Sequence, residues 1–131
     1  MRCLLVLFAL CATARPQANQ YNSTYRVEMT RQRKPGRALD VGMGQGRNSI
    51  FLAQQGWDVT GFDPADVGVR QANAEADRLG LKIHADITTF EQFDFGEDRW
   101  DLIVLTYEPT KAIAPKVGRA LRPGGAVIVV G

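Results

Sequence analysis

Between Arg37 and Val130 the chain alternates short apolar runs with stretches whose apolar positions recur at helical spacing. "RALDV" (37–41) is apolar and sits between Gly36 and Gly42, which predicts a short buried strand. "GRNSIFLAQQG" (46–56) puts Ile50, Phe51 and Ala53 on one side and stops at Gly56, the pattern of a helix. "WDVTGFD" (57–63) predicts a second strand. "DVGVRQANAEADRLG" (66–80) predicts a second helix, with Asp66 as N-cap and Gly80 as C-cap. "LKIHAD" (81–86) and the strongly apolar "WDLIVLTY" (100–107) predict strands three and four. "KAIAPKVGRALRPGG" (111–125) predicts a helix interrupted by Pro115 and closed at Pro123-Gly124-Gly125, followed by a fifth strand, "AVIVV" (126–130).

Strands that alternate with helices imply parallel strands joined by crossovers. The unbroken runs "LIVL" and "AVIVV" suit strands buried on both faces. The predicted class is therefore α/β, a doubly wound three-layer sandwich around a parallel sheet. Such sheets bind ligands outside the carboxyl ends of their strands, at the switch point beside the first strand. That rule selects Asp40 with Gly42-Met43-Gly44-Gln45-Gly46 after the first strand, Asp63 after the second, Asp86 after the third, and Thr106, Tyr107 and Glu108 after the fourth.

The first 36 residues break the pattern. "MRCLLVLFALCATA" (1–14) has a basic start at Arg2, an apolar run from Cys3 to Ala12 and a small-x-small site at Ala12-Thr13-Ala14, the layout of a secretory signal peptide. The run is about half the roughly 20 residues of a spanning helix, so no stable membrane span is expected. A short uncleaved anchor, or a start misassigned upstream of Met29, reads the same residues differently. Export implies a secreted or periplasmic protein, and a start at Met29 a cytoplasmic one. A lipoprotein site at Cys11 is disfavoured by the bulk of Leu10 before it. Residues 15–36 are polar and aperiodic, with basic residues at Arg26, Arg31, Arg33 and Lys34, and read as a solvated lead-in or as a flap over a ligand.

Composition narrows the chemistry. The length of 131 residues fits one domain, and 45% hydrophobic with 23% charged residues fits a globular one. A net charge of +2, without basic residues interleaved with aromatics, gives no reason to expect nucleic acid. Both cysteines, Cys3 and Cys11, fall in the leader, and the one histidine is His84. Neither a metal site nor a thiolate nucleophile is expected of the domain at 37–131. His84 reads as an ordinary strand residue, and Trp57 and Trp100, each opening a strand, as packing residues.

Glycines at alternate positions let a backbone take positive φ and pass close to a ligand. The dinucleotide pattern G-x-G-x-x-G fails at Arg47 when counted from Gly42, and reaches only Ser49 when counted from Gly44. Asp63 lies 21 residues after Gly42 and ends the next strand, where an acid accepts hydrogen bonds from ribose hydroxyls. Capping of a turn by Asp63-Pro64 is the other reading.

In their order, "LDVGMGQG", "VTGFD", "HADI", "WDLIVLTY" and "LRPGG" resemble the class I S-adenosylmethionine-dependent methyltransferases, with Asp40 to Gly46 matching the family's first motif of acid-x-Gly-x-Gly-x-Gly. "GQGRNSIFLAQQGWDVTGFD" is similar to the small-molecule branch of tellurite-resistance and thiopurine-type methyltransferases. The resemblance implies a Rossmann-like methyltransferase fold, S-adenosylmethionine as cofactor and a small-molecule methyl acceptor. It implies that Asp40 meets the methionine ammonium, directly or through water, and that Gly42, Gly44 and Gly46 pass under the cofactor. Arg47 and Asn48 would lie near the methionine carboxylate, Asp63 on the ribose, Asp86 and Ile87 at the adenine, and Leu105 to Tyr107, Thr106 included, on the methyl side. Tyr107 and Glu108 would be the candidates for a catalytic base.

The family has seven strands in the order 3-2-1-4-5-7-6, and this sequence carries the first five. The expectation is a C-terminally truncated domain whose fifth strand is an exposed apolar edge open to self-association. The cofactor is a cytosolic metabolite, which sits badly with export. Two rivals remain at this point: a non-catalytic module of the same fold that holds an adenosine-type ligand, and a nicotinamide-dependent oxidoreductase. A carboxylate touching the glycine loop suits an ammonium better than a pyrophosphate and disfavours the second.

Overall fold

A computed structural model describes residues 5–7, 29–106 and 110–130. Its strands are β1 (Leu5–Leu7), β2 (Arg37–Val41), β3 (Asp58–Asp63), β4 (His84–Ile87), β5 (Trp100–Thr106) and β6 (Leu121–Val130). The helices are α1 (Arg47–Gln54), α2 (Asp66–Arg78) and α3 (Thr110–Ala120), preceded by a single 3-10 turn at Met29–Gln32. All strand pairs are parallel, in the order β1-β6-β5-β2-β3-β4. The order reverses between β2 and β5, so the switch point lies beside β2, as the alternation of elements predicts.

Residues alternate between two cores. Leu39, Val41, Ile103 and Leu105 face α3 through Ile113, Val117 and Ala120. Ala38, Val59, Leu102 and Val104 face Phe51 and Leu52 of α1. Met43 packs with Val69 and Ala72 of α2. This two-sided burial is why the central strands read as unbroken apolar runs. Trp57 and Trp100 are buried in opposite cores, as expected of packing residues. The crossover from β4 to β5 closes the α3 face with rings rather than a helix: Phe93 stacks on Phe62 at 4.2 Å and Phe95 meets Phe62 edge-on at 5.9 Å.

Several expectations shift. Ala65, not Asp66, is the N-cap of α2, while Asp66 lies in the first turn and pairs with Arg70 at 3.3 Å. Leu81 donates its N–H to Ala76 O at 2.8 Å, completing the end of α2, so β4 begins at His84 rather than at Leu81. Helix α3 runs through Pro115, whose ring faces solvent, and ends at Ala120. "LRPGG" belongs to the start of β6: Leu121 pairs with Trp100 and Ala126 with Leu102, so residues 122–125 bulge out, with Arg122 bonded to Asp101 at 3.3 Å. Part of the lead-in is packed, not solvated: Thr30 is buried, the Arg31 guanidinium lies 5.0 Å over the Phe51 ring, and Arg33 donates to Gly124 O at 2.8 Å.

The expected open edge is also corrected. Leu5, Val6 and Leu7 pair with Ala126, Val127 and Ile128, so β6 is not outermost there. Three residues of the apolar N-terminal run occupy the edge that five strands alone would leave bare. The rest of the expected signal peptide lies outside the described residues. Removing residues 1–14 is expected to speed hydrogen exchange at the amides of 126–128 and to produce concentration-dependent association, followed by light scattering. Unchanged exchange in the shortened chain would show that this pairing does not protect the edge.

Candidate cofactor site

The site grows from the carboxyl end of β2. Asp40 pairs with Gly61 of β3 and Val104 of β5, which fixes its side chain at the switch point. The chain then turns sharply. Gly42 and Met43 both donate N–H to Phe62 O at 3.0 Å, and Gly46 donates to Met43 O at 2.8 Å. Gly42, Gly44 and Gly46 have φ of 71°, 51° and 79°, so all three occupy the left-handed region that the alternate glycines predicted. Helix α2 crowds this loop: a Cβ at Gly46 would lie 2.6 Å from that of Ala72, and one at Gly68 would lie 3.0 Å from the Gly44 backbone.

Asp63 holds the loop from the other side. Its Oδ2 accepts the Gly44 N–H at 3.0 Å, and its Oδ1 accepts the Ala65 N–H at 2.8 Å. Of the two sequence readings, these bonds are the turn-capping one: the half-buried carboxylate caps the turn before α2, and each oxygen keeps a further lone pair. Asp86 and Ile87 stand on the neighbouring strand, paired with Phe62 and Asp63, and are exposed at the crevice. His84 starts β4 at the opposite end of the sheet, 3.7 Å from Asp58, which removes it from the site.

Asp40 sits deeper than Asp63 and Asp86. It is completely buried and does not line the crevice; its Oδ2 accepts the Ser49 hydroxyl at 2.7 Å. Burial pushes its carboxyl up to about 6 from 3.8, against the hydrogen bonds from Ser49. The acid therefore ties the end of β2 to the start of α1. Ser49 is the residue that sequence reasoning missed. Its signal was present: a small residue where a third glycine was sought, at a place where Gly61 lets α1 close on the sheet with only 3.0 Å between a Cβ there and the Ser49 oxygen.

A cavity of about 290 Å³ opens above the loop, lined by Gly42, Met43, Gly44, Gln45, Arg47, Asn48 and Thr106. Asn48 donates its amide to Thr106 Oγ1 at 3.4 Å, bridging α1 to the end of β5. Among the described residues, Asn48 Oδ1 and Asp40 Oδ1 are buried acceptors without a donor. Each such acceptor costs about 1–3 kcal/mol when left unpaired. A larger hollow, about 520 Å³, shares Gln45 and Arg47 but lies between α1 and α2, away from the strand ends where this architecture binds ligands. Among the described residues no group of three His, Cys, Asp or Glu is placed to hold a metal, and no helix is long and apolar enough to cross a membrane. The structure brings Asp40, Gly42, Gly44, Gly46, Arg47, Asn48, Asp63, Asp86, Ile87 and Thr106 to one end of the sheet. Tyr107 and Glu108, the expected catalytic pair, lie outside the described residues.

A family model described as a methyltransferase domain matches residues 38–125. The chain belongs to the class I S-adenosylmethionine-dependent methyltransferase family. It is similar to the ubiquinone biosynthesis O-methyltransferase of Azorhizobium caulinodans, 32% identical over 99 residues, which cover 71% of this chain and 39% of that one. It is also similar to TehB of Haemophilus influenzae, named a probable S-adenosyl-L-methionine-dependent methyltransferase, 33% identical over 72 residues covering 55% of this chain and 25% of that one. The TehB crystal structure superposes with a TM-score of 0.57 at 30% identity, over 68% of this chain and 32% of that one. The PH0226 protein of Pyrococcus horikoshii shares the fold, with a TM-score of 0.72 at 21% identity over 89% and 58% of the two chains. The chain spans about two-fifths of the Azorhizobium relative's length.

The family's cofactor is S-adenosylmethionine, and the residues present fit it. The left-handed glycines clear a path for the ligand, Asp63 and Asp86 offer acceptors along the strand ends, and the unpaired oxygens beneath the loop suit a donor such as an ammonium.

The burial of Asp40 has a testable sign. Its folded value is raised, so the fold favours the protonated form, and stability falls as pH rises from about 4 to about 6, then stays lowered. A rise of about two pH units corresponds to roughly 3 kcal/mol. Asp40→Asn, which keeps the acceptor for Ser49, is expected to raise the urea midpoint at pH 8 and to lose that advantage near pH 4. An equal midpoint at pH 8 would show that the carboxylate carries no burial cost.

Proposed function

We propose that this chain is the cofactor-holding part of an enzyme that transfers the methyl group of S-adenosylmethionine to a small-molecule acceptor. The observation that carries the reading is the arrangement at the switch point: three neighbouring parallel strands carry Asp40, Asp63 and Asp86 at, or one residue before, their carboxyl ends, around a loop of left-handed glycines. That arrangement lies wholly within the matched residues 38–125. The name of the Azorhizobium relative, an O-methyltransferase of ubiquinone biosynthesis, supports a small organic acceptor.

The cofactor when bound supplies an electrophilic methyl on its sulfonium. The protein's task is then to align an incoming nucleophile, not to activate the methyl. Asp63, half-buried and fixed by two backbone N–H groups, is set to orient the ribose. Asp86 and Ile87 offer the adenine an acceptor and an apolar surface. Arg47, exposed at the first residue of α1, offers a cation to the carboxylate at the other end. Thr106, at the carboxyl end of β5, marks the side from which an acceptor approaches. A proton-accepting residue is required only for an acceptor that must lose a proton, and Tyr107 or Glu108 is our candidate.

Calorimetric titration of the full chain with S-adenosylmethionine and with NAD tests the reading. We expect S-adenosylmethionine to bind, NAD not to bind, and Asp63→Ala to weaken binding by at least roughly tenfold, the scale of a lost charge-assisted bond. Binding of NAD alone would overturn the proposal in favour of an oxidoreductase. Tight cofactor binding, with no S-adenosylhomocysteine formed over a panel of phenolic, thiol and amine acceptors, would favour a binding module.

A further inference from the structure

We propose that the apolar N-terminal run is a working strand of the fold, and that folding holds it in the sheet in place of release to export. The strand assignment stands on the sheet alone, and its link to a compartment rests on the S-adenosylmethionine reading. Leu5, Val6 and Leu7 pair with Ala126, Val127 and Ile128. The three lie inside the apolar stretch from Cys3 to Ala12, ahead of the small-x-small site at Ala12-Thr13-Ala14. Cutting the chain after Ala14 would therefore take β1 out of the sheet. The loss would fall where β6 tolerates it least. Residues 122–125 bulge outward and carry Arg122 and Pro123, and bulges, charge and proline all blunt an edge. Ala126, Val127 and Ile128 have none of these devices, and they serve both cores: Val127 on the α3 side, Ala126 and Ile128 on the α1 side. Strand β1 covers a stretch of edge that has no protection of its own.

The two uses of the run exclude each other in time. A leader acts while the chain behind it is still unfolded, whereas β1 has no partner until β6, near the other end of the 131-residue chain, has been made and placed. Pairing across that separation is a late contact, because the loop it closes spans nearly the whole chain. A body that folds quickly presents β6 and withdraws the run. A body that folds slowly leaves the run open to export. For a chain that uses S-adenosylmethionine the first outcome is the productive one, since the cofactor is a cytosolic metabolite and the glycine loop meets it there. The sheet edge then sorts the chains: the one able to hold cofactor is the one that keeps its N-terminal run.

The test expresses the full chain in a bacterial host and weighs the cytosolic and exported fractions by intact mass. The wild-type chain is expected in the cytosol with its N-terminal run attached. Leu102→Ala and the milder Ile103→Val loosen β5, the strand that carries β6, without touching the run. The exported, shortened share is expected to rise from wild type through Ile103→Val to Leu102→Ala, by roughly threefold or more at the last. The milder variant keeps the series readable where the other fails to fold. Hydrogen exchange supplies the second measurement. Replacing Leu5 and Val6 together by proline removes the N–H that faces β6, whichever of the two carries it, and is expected to speed exchange at 126–128 by roughly tenfold. Unchanged exchange there would overturn the strand assignment. A wild-type chain that is exported and shortened, or a shortened share equal in all three chains, would overturn the sorting. A chain that keeps its run and its slow exchange but binds no S-adenosylmethionine in a titration would sink the cofactor reading, and the compartment argument with it, while the strand stands.

Discussion

The Ser49 hydroxyl meets Asp40 Oδ2 at 2.7 Å where neither side chain reaches water, and much of the molecule is arranged around that contact. A buried carboxylate is costly, and this one is raised to about 6. It persists because it closes the shortest link between the central strand and the first helix. The turn between them needs three left-handed glycines, the helix start needs a small residue against Gly61, and α2 must yield a side chain at Gly68. Each concession lets backbone come closer to the crevice. The hydrogen bond holds the result in place.

The same contact divides the labour among the acidic strand ends. Asp40 organises the loop from inside. Asp63 is half in each world, bonded to the Gly44 and Ala65 backbones yet open to the crevice. Asp86 is exposed and has no structural duty apparent among the described hydrogen bonds. Three residues of one type, at equivalent ends of adjacent strands, thus span the range from scaffold to free surface. Their burial, which the sequence does not display, sets the difference.

The framework was legible because its signals were periodic. "LIVL" and "AVIVV" read as two-sided strands since both cores demand apolar residues, and Gly46, Gly56 and Gly80 marked helix ends through positive φ. The location of the site followed from strand order. What escaped was non-local. That Ser49 answers Asp40 depends on Gly61 of a third element, and that Asn48 has one satisfied and one unsatisfied end depends on Thr106, 58 residues away. The early start of β6 reflects its pairing with Trp100 and a bond to Asp101, whereas "LRPGG" by itself reads as a helix stop. The placement of Leu5–Leu7 beside β6 is non-local too, since the apolar run by itself does not name its partner strand.

The two tryptophans carry a consequence for how this protein is observed. Trp100 starts β5, Trp57 immediately precedes β3, and they lie in opposite cores at the end of the sheet away from the crevice. At about 3.3 Å per residue, the length of β5 sets Trp100 roughly 20 Å from the ligand end. Their emission is therefore an optical record of whether each half of the core is intact, insensitive to what occupies the glycine loop. A fluorescence melt of this chain reads folding, so a bound ligand registers in it as a raised midpoint and not as a change in the native emission.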